Sequence, residues 1–337
     1  MLSIIAKRKY YYTFSLACVV TAVVFLIIWG FKMGIDFTGG SLMEVSFQET
    51  ARPSVQEISG ALTDLSNLGE VTIQPIGENN IILRFRNVTE IEHQEVLDKL
   101  IEQFTPGQRL DIKTTTTPVQ IEGLVSGEAN VTGIKAEKAA GARIIEERFD
   151  SIGPTVGQEL KTKSFYAVII VIIAIIAFIA WSFRKVGRPV SSWKYGVTAI
   201  IALVHDVTIT CGIFALLGHF YNVEINTPFI AALLTVLGYS VNDTIVVFDR
   251  IRENLHRHQG DFEEIVNMSV NQTMIRSVNT SLTVMLTLLA IFLFGGETIR
   301  YFALTLMVGV FFGTYSSIFV ASSLLVTWQN LVKKFAK

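Results

Sequence analysis

The amino-acid sequence predicts a polytopic α-helical membrane protein with six transmembrane helices and an α+β extracytoplasmic domain between the first two. Three observations carry that class. Of 337 residues, 50% are apolar and only 17% charged, against about 25% charge in soluble domains, and the mean hydropathy is +0.47. Six runs are apolar over roughly the 20 residues that a helix needs to cross a hydrocarbon core of about 30 Å. One long polar stretch of ordinary globular composition separates the first run from the second. The same arithmetic excludes other classes. With 7 Pro and 2 Cys the chain is neither disordered nor disulfide-stapled, and a net charge of −1 leaves no electrostatic footprint for nucleic acid.

The runs lie at 11–29, 165–183, 196–217, 227–248, 276–294 and 302–328; the fifth reaches spanning length only by starting near Arg276. The chain then divides into a tail and first helix (1–31), a polar domain (32–163) and a five-helix bundle with a short tail (164–337). Orientation follows from the basic residues of short loops. With the N-terminus inside, the inner segments hold Lys7, Arg8 and Lys9, then Arg184, Lys185, Arg188 and Lys194, then Arg250, Arg252, Arg257 and Arg276, and last Lys333, Lys334 and Lys337. The short outer loops hold only Arg300. Both termini are therefore expected in the cytoplasm, with the polar domain outside, where 13 basic and 20 acidic residues give it a net charge of −7. Such a domain is no binder of anionic headgroups.

The first run is about twice as long as a signal-peptide core and no small-residue cleavage site follows it, so it reads as a retained anchor. Ten residues precede it, and no upstream fusion is expected. Cys18 and Cys211 both fall inside spans, which leaves the outer domain without a disulfide.

Within the polar domain, "SLMEVSFQE" (41–49) reads as a strand. Residues 54–66 read as a helix with Ser54 as N-cap and Glu57 completing a capping box. "VTIQPIG" and "IILRFR" are two strands joined by a turn at Gly77–Asn80, and 89–104 is a second capped helix. A Thr- and Val-rich extended stretch follows, and "ARIIEERFDSIG" supplies the last strand. The order β-α-β-β-α-β, with an insertion near 105–140, predicts a ferredoxin-like sandwich.

The loop after the first span, "GIDFTGGS", spaces Gly34 and Gly39 as a phosphate-binding loop does, but Gly40 stands where the lysine is required. Gly34, Asp36, Gly39 and Gly40 are read instead as a structural turn from the membrane into a strand. A backbone that tight also suits a shared interface. "SIGPTVGQEL" brings the chain back to the membrane, with Pro and Gly setting the angle.

An ionisable group at membrane depth is costly and marks a candidate functional site. Asp206 lies near the middle of its span, and Asp243 lies in the cytoplasmic half of the fourth. Arg276 approaches from the same side, so Asp243 and Arg276 are expected to pair, either as a switch or as a structural lock between two helices. Tyr239, Ser240, Asn242 and Thr244 make the surroundings of Asp243 unusually polar, as in helices that face other helices or a wet cavity. His205, adjacent to Asp206, is expected on a different face as an interface donor. His256 and His258 read as solvated, and no further ligands accompany them for a metal. The two carboxylates differ in depth, which argues against an aspartyl-protease dyad. Phe262, Ile265, Val266, Val270 and Met274 fall at helical spacing behind Asp261. This amphipathic helix is expected along the inner membrane surface or against a partner, or else packed on its own bundle.

Six motifs occur in order: "GIDFTGG", "GPTVGQEL", "HDVTITCGIF", "GYSVNDTIVVFDRIREN", "TMIRSVNTS" and "GTYSSIFVAS". Together they resemble the SecF family of bacterial protein-export membrane proteins, within the resistance-nodulation-division superfamily, across nearly the whole chain. The departure is the stretch around 105–140, longer than the family's link between second helix and last strand. The resemblance implies an auxiliary, non-enzymatic subunit of the bacterial cytoplasmic (inner) membrane. It would work with SecD and the SecYEG channel to draw unfolded polypeptide outward, needing no cofactor because protons drive it. It implies that Asp243 is the proton-responsive carboxylate, Arg276 its switchable partner and Asp206 a weaker member of the same network. A proton falling through 100 mV yields about 2.3 kcal/mol, and protonating a paired Asp releases its Arg. A proton-driven exporter of small molecules or lipids is the alternative, though one outer domain and six spans are half the usual exporter unit. A purely structural assembly factor also stays open.

Overall fold

A computed structural model describes residues 2–48, 52–105, 144–183 and 191–335. In chain order its helices are α1 (Arg8–Ile28), α2 (Ile35–Thr38), α3 (Val55–Leu62), α4 (Glu90–Phe104), α5 (Pro154–Ser182), α6 (Ser192–Tyr221), α7 (Thr227–Arg257), α8 (Phe262–Phe294), α9 (Glu297–Tyr315) and α10 (Ser322–Phe335). The strands are β1 (Gly40–Phe47), β2 (Thr72–Ile76), β3 (Asn80–Phe85) and β4 (Ile144–Ile152). The chain forms two compact units, one of Met1–Phe37 with Gln158–Lys337 and the other of Thr38–Gly157.

In the smaller unit the four strands form one antiparallel sheet in the order β2-β3-β1-β4. Register follows side-chain size: Met43 stands opposite Leu83 on one side and Phe149 on the other. Both helices start where the sequence writes a reciprocal cap. Ser54 Oγ accepts from Glu57 N while Ser54 N donates to Glu57 Oε2, and Thr89 and Glu92 repeat the arrangement. These bonds hold both glutamates below the usual carboxylate range, the backbone hydrogen bond contributing most. Met43, Val45 and Phe47 of β1 pack with Ile58 of α3 and Val96 and Leu100 of α4; each such side chain contributes about 1.5–3 kcal/mol by burial. The insertion expected near 105–140 falls almost wholly outside the described residues.

In the larger unit six helices among the described residues are long and apolar enough to cross a membrane. They outrun the apolar stretches because polar ends continue the helix. In α7 the pairs Asp249–Arg252, Arg250–Glu253 and Glu253–Arg257 carry it past the fourth apolar run. The fifth helix departs most from expectation. Asp261 caps it, and α8 runs unbroken over 33 residues, so the amphipathic stretch and the span are one helix. Its apolar face does not lie along a membrane surface: Phe262, Val266 and Val270 are buried in the same core as Val247, Phe248 and Leu325. Burial against the chain's own bundle holds that stretch in line with the span. The sixth span is interrupted by a π-helical segment, Ser316–Ala321, between α9 and α10. Gly309 and Gly313 of α9 let α7 come close: a Cβ at Gly309 would meet Val236 Cγ2 at 2.1 Å, and one at Gly313 would meet Ser240 Cβ at 3.1 Å.

Candidate functional site

The close approach of α7 and α9 brings the hydroxyl-bearing faces of four spans together. On α7, Ser240 and Thr244 are one turn apart and both are 1% exposed, with Asp243 between them on the same side. Asp206 of α6 is fully buried. Its Oδ2 accepts from Ser240 Oγ at 2.5 Å and from Ser316 Oγ at 2.8 Å. Its Oδ1 faces His205 Nδ1 at 2.8 Å. His205 therefore turns onto its neighbour, contrary to the separate face expected for adjacent residues; the imidazole bends along the helix because a buried carboxylate needs a partner on each oxygen. His205 Nε2 is buried with no hydrogen-bond partner.

One turn farther along α7, Asp243 Oδ1 accepts from Ser277 Oγ of α8 at 2.6 Å. Its Oδ2 is buried without a well-formed hydrogen bond, although the Ser317 hydroxyl lies close enough to act on the carboxylate. No direct Asp243–Arg276 ion pair forms, although the Arg276 charge still acts on Asp243 from a distance. Successive residues on a helix are about 100° apart, so Ser277 facing α7 turns Arg276 to the exposed side. Thr244 Oγ1 and Ser317 Oγ share a hydrogen bond of 2.8 Å, and Tyr239 OH meets Ser281 Oγ at 3.0 Å. Ser281 in turn bonds Thr314. Asn242 lies on the exposed side of α7, apart from the network.

Ser277, Ser281, Thr314, Ser316 and Ser317 were not singled out by the sequence argument. The cue was the pair of serines in "GTYSSIF", which opens the π segment; such a bulge shifts side chains out of the helical register and recurs at functional sites. Hydroxyls of α7, α8 and the π segment thus flank both carboxylates, in separate hydrogen-bonded groups.

The glycine loop sits elsewhere, with Gly34 and Asp36 against the turn between α6 and α7. Gly34 N donates to Ile225 O at 2.8 Å, and a Cβ at Gly34 would lie 3.2 Å from that oxygen. Asp36 Oδ2 accepts from Thr227 N at 2.7 Å. Gly39 and Gly40 have φ of 72° and 120°, and a Cβ at Gly39 would lie 2.7 Å from Pro154 Cα, so the two linkers can meet there only through glycine.

Residues 133–331 match the family described as protein export membrane protein SecD/SecF, C-terminal, and residues 24–51 match the SecD/SecF GG motif. The protein translocase subunit SecF of Thermobaculum terrenum is 38% identical over 98% of this chain and 95% of its own length. That of Anaerolinea thermophila is 36% identical over 98% and 95%. The protein translocase subunit SecDF of Thermus thermophilus is 37% identical over 94% of this chain, which spans 37% of that longer protein. The crystal structure of SecDF, a translocon-associated membrane protein from Thermus thermophilus, matches with a TM-score of 0.73 and 30% identity over 98% of this chain and 39% of that one. Near-full-length identity to the SecF subunits, together with the two family matches, places the chain: it belongs to the SecD/SecF family of protein-export membrane proteins.

Proposed function

We propose that this chain is an auxiliary subunit of the Sec export machinery that couples the proton motive force to late steps of translocation. It acts with SecD, beside the SecYEG channel, on unfolded polypeptide. It sits in the bacterial cytoplasmic membrane with both termini inside, as the distribution of Lys and Arg supports. The reading requires no catalytic residue and no cofactor. The outer unit, with its β-α-β-β-α-β order and sheet order β2-β3-β1-β4, is read as ferredoxin-like and extracytoplasmic.

The observation that carries the proposal is the carboxylate of Asp243, firmly bonded on Oδ1 alone, among buried hydroxyls. A proton on Oδ2 removes the charge, turns a poorly served acceptor into a donor and weakens the charge-assisted bond from Ser277. The fourth and fifth spans are then free to repack. Asp206, bonded on both oxygens, holds α6, α7 and the π segment together while that happens.

The need for SecD is supported by the other side of the same helices. Among the described residues, Arg276, Asn242 and Asn279 are exposed and their side chains bond to nothing in this chain. At membrane depth such groups require a protein or a wet cavity. Arg276 accordingly belongs at the interface with the SecD half. Vesicles holding this chain with SecD should take up protons when presented with unfolded polypeptide; vesicles that export under a gradient without any coupled proton movement would overturn the proposal.

A further inference from the structure

Helix α7 begins Thr227-Pro228, and its first turn leaves amide donors with no intrahelical acceptor. From Thr227 to Ile230 each is accounted for. Pro228 has no N–H. Phe229 N is served by Asn226 Oδ1 at 3.3 Å, and Ile230 N by Asn226 O at 3.4 Å. Thr227 N is served from outside the helix, by Asp36 Oδ2 at 2.7 Å. A carboxylate at a helix N-terminus is also favoured by the helix dipole.

Asp36 is not isolated in this contact. Ile225 N donates to Lys32 O and Gly34 N to Ile225 O, each at 2.8 Å, so the chain leaving α1 runs as a short parallel bridge beside the α6–α7 turn. Lys32 Nζ donates to Asn222 Oδ1 at 3.0 Å. Phe37 is buried with Phe214, Val223, Ile225 and Phe229. Segment 32–37 is thereby laced to the outer end of α7 by backbone, charge and apolar packing at once. The same helix carries Asp243, about 24 Å along the rod at 1.5 Å per residue.

We infer that Asp36 is a positioning residue of the proton-coupled movement: its carboxylate pins the outer end of α7 to the segment leading from α1 to the strand β1. The inference rests on the proton-coupled reading of Asp243. A shift of α7 along or about its axis must then carry segment 32–37 with it or break the pin. A cap is what transmits the movement, so an uncharged acceptor of the same length serves in place of the carboxylate, because Asn caps as well as Asp.

The test uses the full chain with SecD in vesicles, comparing Asp36→Ala with Asp36→Asn. Hydrogen exchange over 225–229 in the same preparation reports the Thr227 amide without any gradient. Asp36→Ala is expected to speed that exchange by about fivefold and to lose most gradient-stimulated export, and Asp36→Asn to keep both. Full gradient stimulation in Asp36→Ala with faster exchange would overturn the inference, since the cap would then be structural only. Loss of stimulation in Asp36→Asn with slow exchange retained would overturn it too, because the charge and not the cap would matter. Asp243→Asn vesicles run in parallel separate the two proposals: full stimulation there sinks the proton-coupled reading, whatever Thr227 does.

Discussion

Ser277 Oγ donates to Asp243 Oδ1 at 2.6 Å, while Arg276, the preceding residue of α8, faces the exposed side. One tie between the fourth and fifth spans is therefore a hydroxyl donating to a carboxylate. Such a bond is about twice as strong when the acceptor is charged as when it is neutral, which makes its strength depend on the proton.

Asp243→Asn should abolish gradient-stimulated export while leaving expression and thermal stability of the purified chain close to wild type, because an amide oxygen still accepts from Ser277. Ser277→Ala should do the reverse in part. It removes the one firm hydrogen bond of a mostly buried carboxylate, at a cost of about 1–3 kcal/mol, visible as a lowered Tm. Equal Tm values for Ser277→Ala and wild type would show that the bond contributes nothing.

Ser240→Ala and Ser316→Ala each remove a donor from the same oxygen of a fully buried carboxylate, Asp206 Oδ2. Each should cost about 1.5–3 kcal/mol, the range for hydrogen bonds to charged groups. Because both act on one atom, the double variant should depart from additivity by about 0.5 kcal/mol or more. A double-mutant cycle by denaturant unfolding in detergent measures this, and strict additivity would contradict the shared acceptor.

Gly309→Ala places a methyl group 2.1 Å from Val236 Cγ2, on a face where α7 and α9 are already in contact. Overpacking of that kind costs about 1–3 kcal/mol. Gly238, whose Cβ would meet nothing within 4 Å, is the control: Gly238→Ala should be neutral or stabilising through helix propensity. Thermal melts of the two variants should separate clearly.

His93 of the smaller unit is buried between Glu90 Oε1, 3.2 Å from Nδ1, and Glu146 Oε2, 3.1 Å from Nε2, with its ring stacked on Phe149. Burial pulls its pKa down, but hydrogen bonds and charge from Glu146 and Glu90 outweigh burial and hold the imidazolium above its ordinary value of 6.5. A raised pKa in the folded state means that protonation stabilises the fold. The contribution is complete below pH 6.5 and is lost as pH rises through the higher folded value. Hydrogen exchange of β4 and α4 in the full chain should accordingly speed up as pH rises above 6.5, beyond the intrinsic rate change, and Glu146→Gln should reduce that dependence. A pH-independent protection factor would exclude the pair as a source of stability.

Much of the architecture is legible without coordinates. The two reciprocal caps, Ser54–Glu57 and Thr89–Glu92, join residues three apart, so the local sequence contains everything they need. The six apolar runs are likewise local, because span length depends only on how many consecutive side chains favour lipid. The same holds for Asp206 and Asp243, which a single scan for charge at membrane depth singles out. By contrast, the partners of those carboxylates were decided in three dimensions. Ser277 is 34 residues from Asp243, Ser316 is 110 from Asp206, and Thr227 is 191 from Asp36. Each contact depends on how far one helix is rotated and how closely it approaches another. At about 100° per residue, the choice between Ser277 and Arg276 facing Asp243 is one step of rotation. That step is settled by packing, through Gly309 and Gly313 against α7 and the buried face of Val266 and Val270 against the bundle, and no stretch of neighbouring residues records it.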